Sequence, residues 1–249
     1  MKSETVLSID IGNSCMKWAV CNLSQLSLHN EGVLDLADVS VEQLDLAFNE
    51  LMVQPVWLSC VASMDRARLL MAWFREYWQL SVHLIERCPK RYARLNVYQQ
   101  PDKLGIDRSL AMIAGQRIAA GNFCIIDAGT AITLDVVVDG MHKGGLIMPG
   151  RQLMLNSLVK KAENIKSASG RKVSLADNTA DAIESGVLDS IVGGVDRALM
   201  RINGLYPDTQ LIITGGDAKL ISELSGFDLM LENNMVLKGV GVLAQDAYA

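Results

Sequence analysis

The sequence predicts an α/β protein made of two similar halves, each built on a mixed sheet. Three observations carry this expectation. The segment Thr5 to Val20 (TVLSIDIGNSCMKWAV) returns as Asn122 to Val137 (NFCIIDAGTAITLDVV). Both copies hold an apolar strand, an aspartate, a glycine two residues on, a small polar turn and a second apolar strand. The two aspartates, Asp10 and Asp127, lie 117 residues apart (127 − 10), close to half of the 249-residue chain. Beyond each hairpin, strand-like runs alternate with helix-like ones, the pattern of an α/β protein. The hairpins bring antiparallel pairs, so the sheets are expected to be mixed. The expected halves are residues 1–117 and 118–249.

The elements follow in order. After the first hairpin, Pro55 to Ala62 (PVWLSCVA) reads as a buried strand. Asp65 to Leu80 carries Leu69, Leu70, Trp73, Phe74 and Tyr77 at helical spacing, which predicts a core-facing helix and not a cofactor box. Leu80 to Ile85 is a short strand, and Asp107 to Ala120 a helix joining the halves. In the second half, Lys143 to Pro149 is a Gly-rich strand and Arg151 to Lys161 a helix. Asn178 to Leu205 is a long apolar helix opened by an Asn-Thr cap signal. Gln210 to Ile213 is a strand that runs into Thr214-Gly215-Gly216-Asp217. The stretch 22–53 carries no diagnostic residue.

Composition narrows the classes. Half of the residues are hydrophobic and a fifth are charged, which suits a packed globular core. The net charge of −5 and the lack of a long basic tract argue against a nucleic-acid partner. Small basic groups (Lys90, Arg91 and Arg94; Lys160 and Lys161) read as solvated faces. Cys15, Cys21, Cys60, Cys88 and Cys124 form no C-x-x-C pair, and His29, His83 and His142 are scattered. Neither a disulfide frame nor a zinc site is expected. No run has signal-peptide or membrane-span character, so a cytoplasmic protein without a membrane partner is expected.

The chemistry-bearing motifs sit in the turns. In Asp10-Ile11-Gly12-Asn13-Ser14, a glycine lets an anion approach the backbone, and main-chain N–H groups at such a turn suit phosphate oxygens. Asn13 and Ser14 add side-chain donors and Lys17 adds a charge. Asp10 suits a magnesium ion, directly or through water. The second copy, Asp127-Ala128-Gly129-Thr130, offers another carboxylate and hydroxyl. Two such loops in a duplicated chain suit clamping one polyphosphate between two domains. The Thr214–Asp217 turn either approaches a nucleoside or merely turns the chain.

Together these features resemble the superfamily of actin, heat-shock chaperone ATPases and sugar kinases. That resemblance implies two actin-like (ribonuclease H-like) lobes with an ATP cleft between them. Two further motifs resemble one family within it. Gly105-Ile106-Asp107-Arg108 is similar to the G-x-D-R signature of type III pantothenate kinases, and Gly144-Gly145-Leu146-Ile147-Met148-Pro149-Gly150 to their G-G-x-I-x-P-G segment. The motifs keep the family's order from Asp10 to Asp217.

The resemblance implies phosphorylation of pantothenate by ATP, the first step towards coenzyme A. It implies that Asp10, Ile11, Gly12, Asn13, Ser14, Cys15, Met16 and Lys17 form the first ATP loop, with Thr130 a further ATP contact. Magnesium comes with the ATP, near Asp10. Asp127 takes a monovalent cation, potassium or ammonium. Gly105, Ile106, Asp107 and Arg108 contact pantothenate, with Asp107 as general base. Tyr98 and Thr179 are further substrate contacts, Thr179 reaching across a homodimer interface. Ser14 stands where many relatives have threonine and keeps the hydroxyl. The alternatives are a kinase of another small hydroxylated substrate, or a regulatory accessory protein on the same fold.

Overall fold

The computed structural model describes residues 4–248 apart from 38, 49–50, 52–54, 63 and 162–169. The elements, in order, are β1 (Thr5–Ile11), β2 (Cys15–Asn22), β3 (Leu28–Asp35), α1 (Val41–Phe48), β4 (Val56–Cys60), α2 (Met64–Tyr77) and β5 (Val82–Ile85). Two 3-10 turns (Lys90–Leu95, Pro101–Lys103) lead to α3 (Ile106–Ile118). Then come β6 (Phe123–Ala128), β7 (Ala131–Val138), β8 (Met141–Pro149), α4 (Arg151–Lys161), α5 (Thr179–Leu205), β9 (Gln210–Thr214), α6 (Ala218–Leu224), β10 (Met230–Leu231) and α7 (Met235–Tyr248).

The chain divides into two compact units, Met1–Ala120 with Asn234–Ala249, and Gly121–Asn233. Their sheets repeat one plan. The first runs β3-β2-β1-β4-β5; the second, read in the same sense, runs β8-β7-β6-β9-β10. In each, the opening strand pairs antiparallel with its hairpin partner and parallel with the strand on its other side. The duplication expected from two 16-residue segments therefore extends to whole sheets.

The core of the first unit forms because α2 buries Ala67, Leu70, Trp73 and Phe74 along one helical face. Phe48 of α1 is fully buried, with ring centroids 5.1 Å from Trp18, 5.7 Å from Trp73 and 5.2 Å from Phe74. Aromatic side chains packed in this way dominate core energetics, and truncating one costs about 3–5 kcal/mol. Leu70, Trp73 and Phe74 are thus core, as their spacing indicates, but Leu69 and Tyr77, expected on the same face, are 72% and 55% exposed because the buried stripe runs through Ala67 instead. In the second unit α5 lays Leu188, Ile191, Val195, Ala198, Leu199 and Ile202 against a core that includes Ile126, Leu134 and Ile213. Its cap is Asn178, whose side-chain oxygen accepts the Asp181 amide at 3.0 Å.

Two expectations need correction. The sequence-based division gave everything after 117 to the second half, but residues from Asn234 onward return to the first unit. There α7 packs on α3 and on β1 and β2. A Cβ at Gly239 would sit 2.1 Å from the Leu110 carbonyl oxygen, so α7 and α3 are in backbone contact. For the same reason α3 is an integral helix of the first unit. The stretch 22–53 also holds structure that carried no motif, namely β3 and α1.

Candidate active site

The first turn, Gly12 to Ser14, joins β1 and β2. Register sets Asp10 opposite Lys17 on β2 and beside Ser59 on β4, and register partners share one face of a sheet. Ser59 is fully buried and its hydroxyl donates to Asp10 Oδ1 at 2.7 Å. Asp10 is thus oriented from beneath by a hydrogen bond to a fixed hydroxyl. Asn13 and Ser14 are exposed. Arg66, on α2, donates from Nη1 to the Asn13 carbonyl at 3.3 Å and brings a second cation to the turn.

Some of the expected contacts are more limited than the motif suggests. Ile11 and Met16 are core residues, 1% and 2% exposed, so they offer this loop only their main chain. The Gly12 amide is spent inside the turn on the Cys15 carbonyl, at 2.9 Å. Burial pushes the Cys15 thiol up, against the pull of Lys17, so it is a thiol and not a nucleophilic thiolate near neutral pH.

The G-x-D-R segment opens α3 in the same unit. Gly105 is the N-cap residue, so Asp107 falls in the first helical turn, where negative charge is favoured. Asp107 Oδ1 accepts the Arg108 amide at 2.8 Å. A Cβ at Gly105 would sit 2.3 Å from that oxygen, which explains the glycine: a larger residue displaces the carboxylate. Arg108 is 7% exposed, and its Nη1 donates to the Tyr98 hydroxyl at 2.7 Å. Its guanidinium lies 5.6 Å from the Tyr98 ring centre. Tyr98, Asp107 and Arg108 are therefore brought together. Ile106 is buried and lines a cavity of about 370 Å³ with Cys88, Asn96, Leu104 and Ser109.

In the second unit, Asp127 stands opposite Thr133 on β7 and beside Thr214 on β9. The Gly129 amide donates to the Ala131 carbonyl at 3.1 Å and closes the turn, leaving Thr130 exposed at its tip. Two other Gly-rich segments brace it. The Gly150 amide donates to the Thr130 carbonyl at 3.0 Å, and a Cβ there would meet the Gly129 oxygen at 2.3 Å. The Asp217 amide donates to the Ala128 carbonyl at 3.1 Å. Gly215 has φ +101° and approaches Ala128 so closely that a Cβ would lie 2.5 Å from its backbone. Arg151 binds Glu184 Oε1 through Nε at 2.7 Å and Nη2 at 2.6 Å. Burial pushes the Asp217 carboxyl above its ordinary value; Arg151 pulls it down and Glu184 pushes it up.

Thr179 is the exposed first residue of α5, one position after the Asn178 cap. Capping therefore falls to Asn178 and not to Thr179. Nearby, the Arg171 amide and then the Asn178 side chain hold the Asp181 carboxyl below its ordinary value. Among the described residues no group of three or more His, Cys, Asp or Glu is placed to hold a metal ion. Among them, too, no helix is long and apolar enough to cross a membrane.

Sequence reasoning missed Ser59 and Arg66. Ser59 had a signal, as a lone polar residue within an apolar strand; Arg66 had none.

Comparison with known proteins agrees with this geometry. A family profile described as type III pantothenate kinase matches residues 6–201. A type III pantothenate kinase of Aromatoleum aromaticum is 33% identical over 252 residues, covering 98% of this chain and 99% of the relative. One from Nitrosococcus oceani is 32% identical, covering 97% and 94%. Among solved structures, one described as a conserved Baf family transcriptional activator from Campylobacter jejuni superposes with a TM-score of 0.61 at 20% identity, covering 98% of each chain. The activator of a 2-hydroxyisocaproyl-CoA dehydratase from Clostridium difficile, with bound ADPNP, gives 0.56 at 13% identity, covering 98% and 94%. At these identities the two structures speak for the fold alone.

Proposed function

The chain belongs to the type III pantothenate kinase family, and we propose on that premise that it transfers the γ-phosphoryl group of ATP to pantothenate. The products are ADP and 4′-phosphopantothenate, the first intermediate on the way to coenzyme A. The observation that carries this reading is the joined group of Tyr98, Asp107 and Arg108 at the start of α3, in a chain similar to such kinases over nearly its whole length.

In the reaction the primary hydroxyl of pantothenate attacks the γ-phosphorus, and the bond from that phosphorus to the bridging oxygen of ADP breaks. The hydroxyl proton passes to the Asp107 carboxylate. A carboxylate is adequate because the transition state is loose and positioning dominates catalysis. Arg108, locked on Tyr98, presents a charged planar donor group to the polar end of pantothenate. Ile106 and Gly105 contribute shape: the first is buried, the second leaves room for the Asp107 oxygen.

Asp10, with Asn13, Ser14 and Lys17 beside it, serves the ATP phosphates. Asp10, oriented by the buried Ser59 hydroxyl, is a hard oxygen donor that fits magnesium held through water. Magnesium, when bound, neutralises polyphosphate charge. Asp127 has Thr133 and Thr214 as its register neighbours, and a carboxylate beside hydroxyl oxygens is a donor set that fits potassium or ammonium. Thr130, exposed at the tip of the same turn, contacts ATP.

Two further features belong to the proposal. The protein acts in the cytoplasm, and it is a homodimer in which Thr179 serves the partner's pantothenate pocket. The exposure of Thr179 and its freedom from capping support that role. The apolar stripe of α5 is committed to the core, so the dimer contact lies on other surfaces.

The test is ADP release with magnesium, potassium and ATP, with and without pantothenate. Wild type should turn over only with pantothenate, and Asp107→Asn should lower kcat about 10²–10⁴-fold. Equal ADP release without pantothenate would remove the assignment.

A further inference from the structure

One carboxylate outside the groups above gathers an unusual set of partners. Asp246, near the end of α7, has a side chain only 16% exposed. Its Oδ2 accepts the Tyr92 hydroxyl at 2.6 Å and pairs with Arg91 Nη2 at 3.1 Å. Its Oδ1 accepts Arg117 Nη2 at 3.1 Å. Arg91 also lies 5.5 Å over the Tyr92 ring. Lys90 and Arg94, the other members of the same basic group, are exposed.

These donors come from two places that matter. Arg91 and Tyr92 sit in the 3-10 turn that leads, six residues on from Tyr92, to Tyr98. Arg117 closes α3, the helix whose first turn carries Asp107 and Arg108. The helix that bears Asp246 is itself fixed. Gln245 donates to the Leu23 carbonyl at 2.7 Å, Tyr248 packs edge-on to Trp57, and Gly239 lies against Leu110. Asp246 thus ties the segment before Tyr98 and the far end of α3 to one fixed point. The Arg91 and Arg117 side chains are 47% and 45% exposed, so solvent screens their charges in part, and the tie rests on their convergence with the Tyr92 hydroxyl on the more covered Asp246 carboxylate. Burial first, and then Asp246, push the Tyr92 hydroxyl up, so it remains a donor.

We propose that Asp246 is a positioning residue for the substrate: it sets the Tyr98–Arg108 contact in register with Asp107 without touching pantothenate. This rests on the assignment of Tyr98 and Arg108 to pantothenate. Loss of the tie lets the 90–98 segment move, which weakens substrate binding and leaves the phosphate loops intact.

The experiment is steady-state kinetics of Asp246→Asn and Tyr92→Phe, with amide hydrogen exchange over residues 90–98. Asp246→Asn should raise the KM for pantothenate about 10-fold, with kcat within about 2-fold and the KM for ATP unchanged. Tyr92→Phe, which removes one hydrogen bond, should raise it about 3-fold. Exchange over 90–98 should quicken in both. A merely structural role would lower the melting temperature and the active fraction while leaving the pantothenate KM alone. Folded variants with unchanged KM and unchanged exchange overturn the proposal. If Asp246→Asn does not fold, Tyr92→Phe decides by the same criteria. A wild type without pantothenate turnover would defeat the assignment of function, while the exchange data would still judge the tie.

Discussion

The turn after Asp10 and the turn after Asp127 are two copies of one device, and their differences indicate a division of labour. Both aspartates end a central strand, flanked by an antiparallel neighbour on one side and a parallel neighbour on the other. Asp10 has Lys17 and Ser59 in those places; Asp127 has Thr133 and Thr214. The first turn also gains Arg66 at Asn13. Its surroundings are cationic and suit phosphate oxygens. The register neighbours of Asp127 are threonines, whose hydroxyl oxygens are in keeping with the cation role proposed for it. The second turn is braced by two close glycine contacts at Gly150 and Gly215, whereas a Cβ at Gly12 would lie 3.2 Å from the Cys15 carbonyl oxygen, tight but less so. One copy brings Lys17 and Arg66 to its turn; the other brings threonines and the closer glycine contacts.

The largest effect should separate the two carboxylates. Asp10→Asn should lower kcat about 100-fold or more at every potassium concentration, because it lies in the proposed phosphate loop itself. Asp127→Asn should cost about 10-fold and abolish activation by potassium, with turnover flat across a potassium titration. Equal losses with potassium activation kept in both variants would erase the distinction.

The next effect is on stability. Gly215→Ala must accommodate φ +101° and a backbone clash, and should cost about 1–3 kcal/mol, read as a drop of roughly 2–12 °C in melting temperature. Gly12→Ala should cost less than half as much in the same thermal melt. A reversal of that order would mean that the bracing of the second turn has been misjudged.

The smallest effect is a pH dependence at Asp217. Its carboxyl is raised above the ordinary 3.8, so the folded state disfavours its ionised form. The resulting penalty is absent below 3.8, where the proton is held in both states. It grows as pH rises from there through the raised value and is complete above it. Asp217→Asn should therefore raise the melting temperature slightly at neutral pH, with the gain vanishing in acid. A gain that persists below pH 3.8 would point to a cause other than ionisation.

Much of this was legible because it is local. The two hairpins announce themselves by a repeated Asp-x-Gly between apolar strands, and α5 by its spacing and its Asn178 cap. What escaped depends on distant partners. Ser59 reaches Asp10 only through parallel pairing of β1 with β4, and Arg66 reaches Asn13 from a helix 53 residues further on. The β3 strand lies largely exposed, so its sequence lacks the alternation that marks a half-buried strand. The α7 helix hides behind Gly239 and Gly241, poor helix formers that are there because α7 must lie against Leu110 and Cys21. Its return to the first unit, and with it the place of Asp246, comes from packing and not from any local pattern.

The central claim, that this chain phosphorylates pantothenate, is tested most directly by phosphorus NMR of the complete reaction. With protein, magnesium, potassium, ATP and pantothenate together, a phosphomonoester signal split by a neighbouring methylene should grow as ATP falls, and Asp107→Asn should all but remove it. ATP consumed to ADP and inorganic phosphate alone, with no phosphomonoester on pantothenate, would contradict the claim.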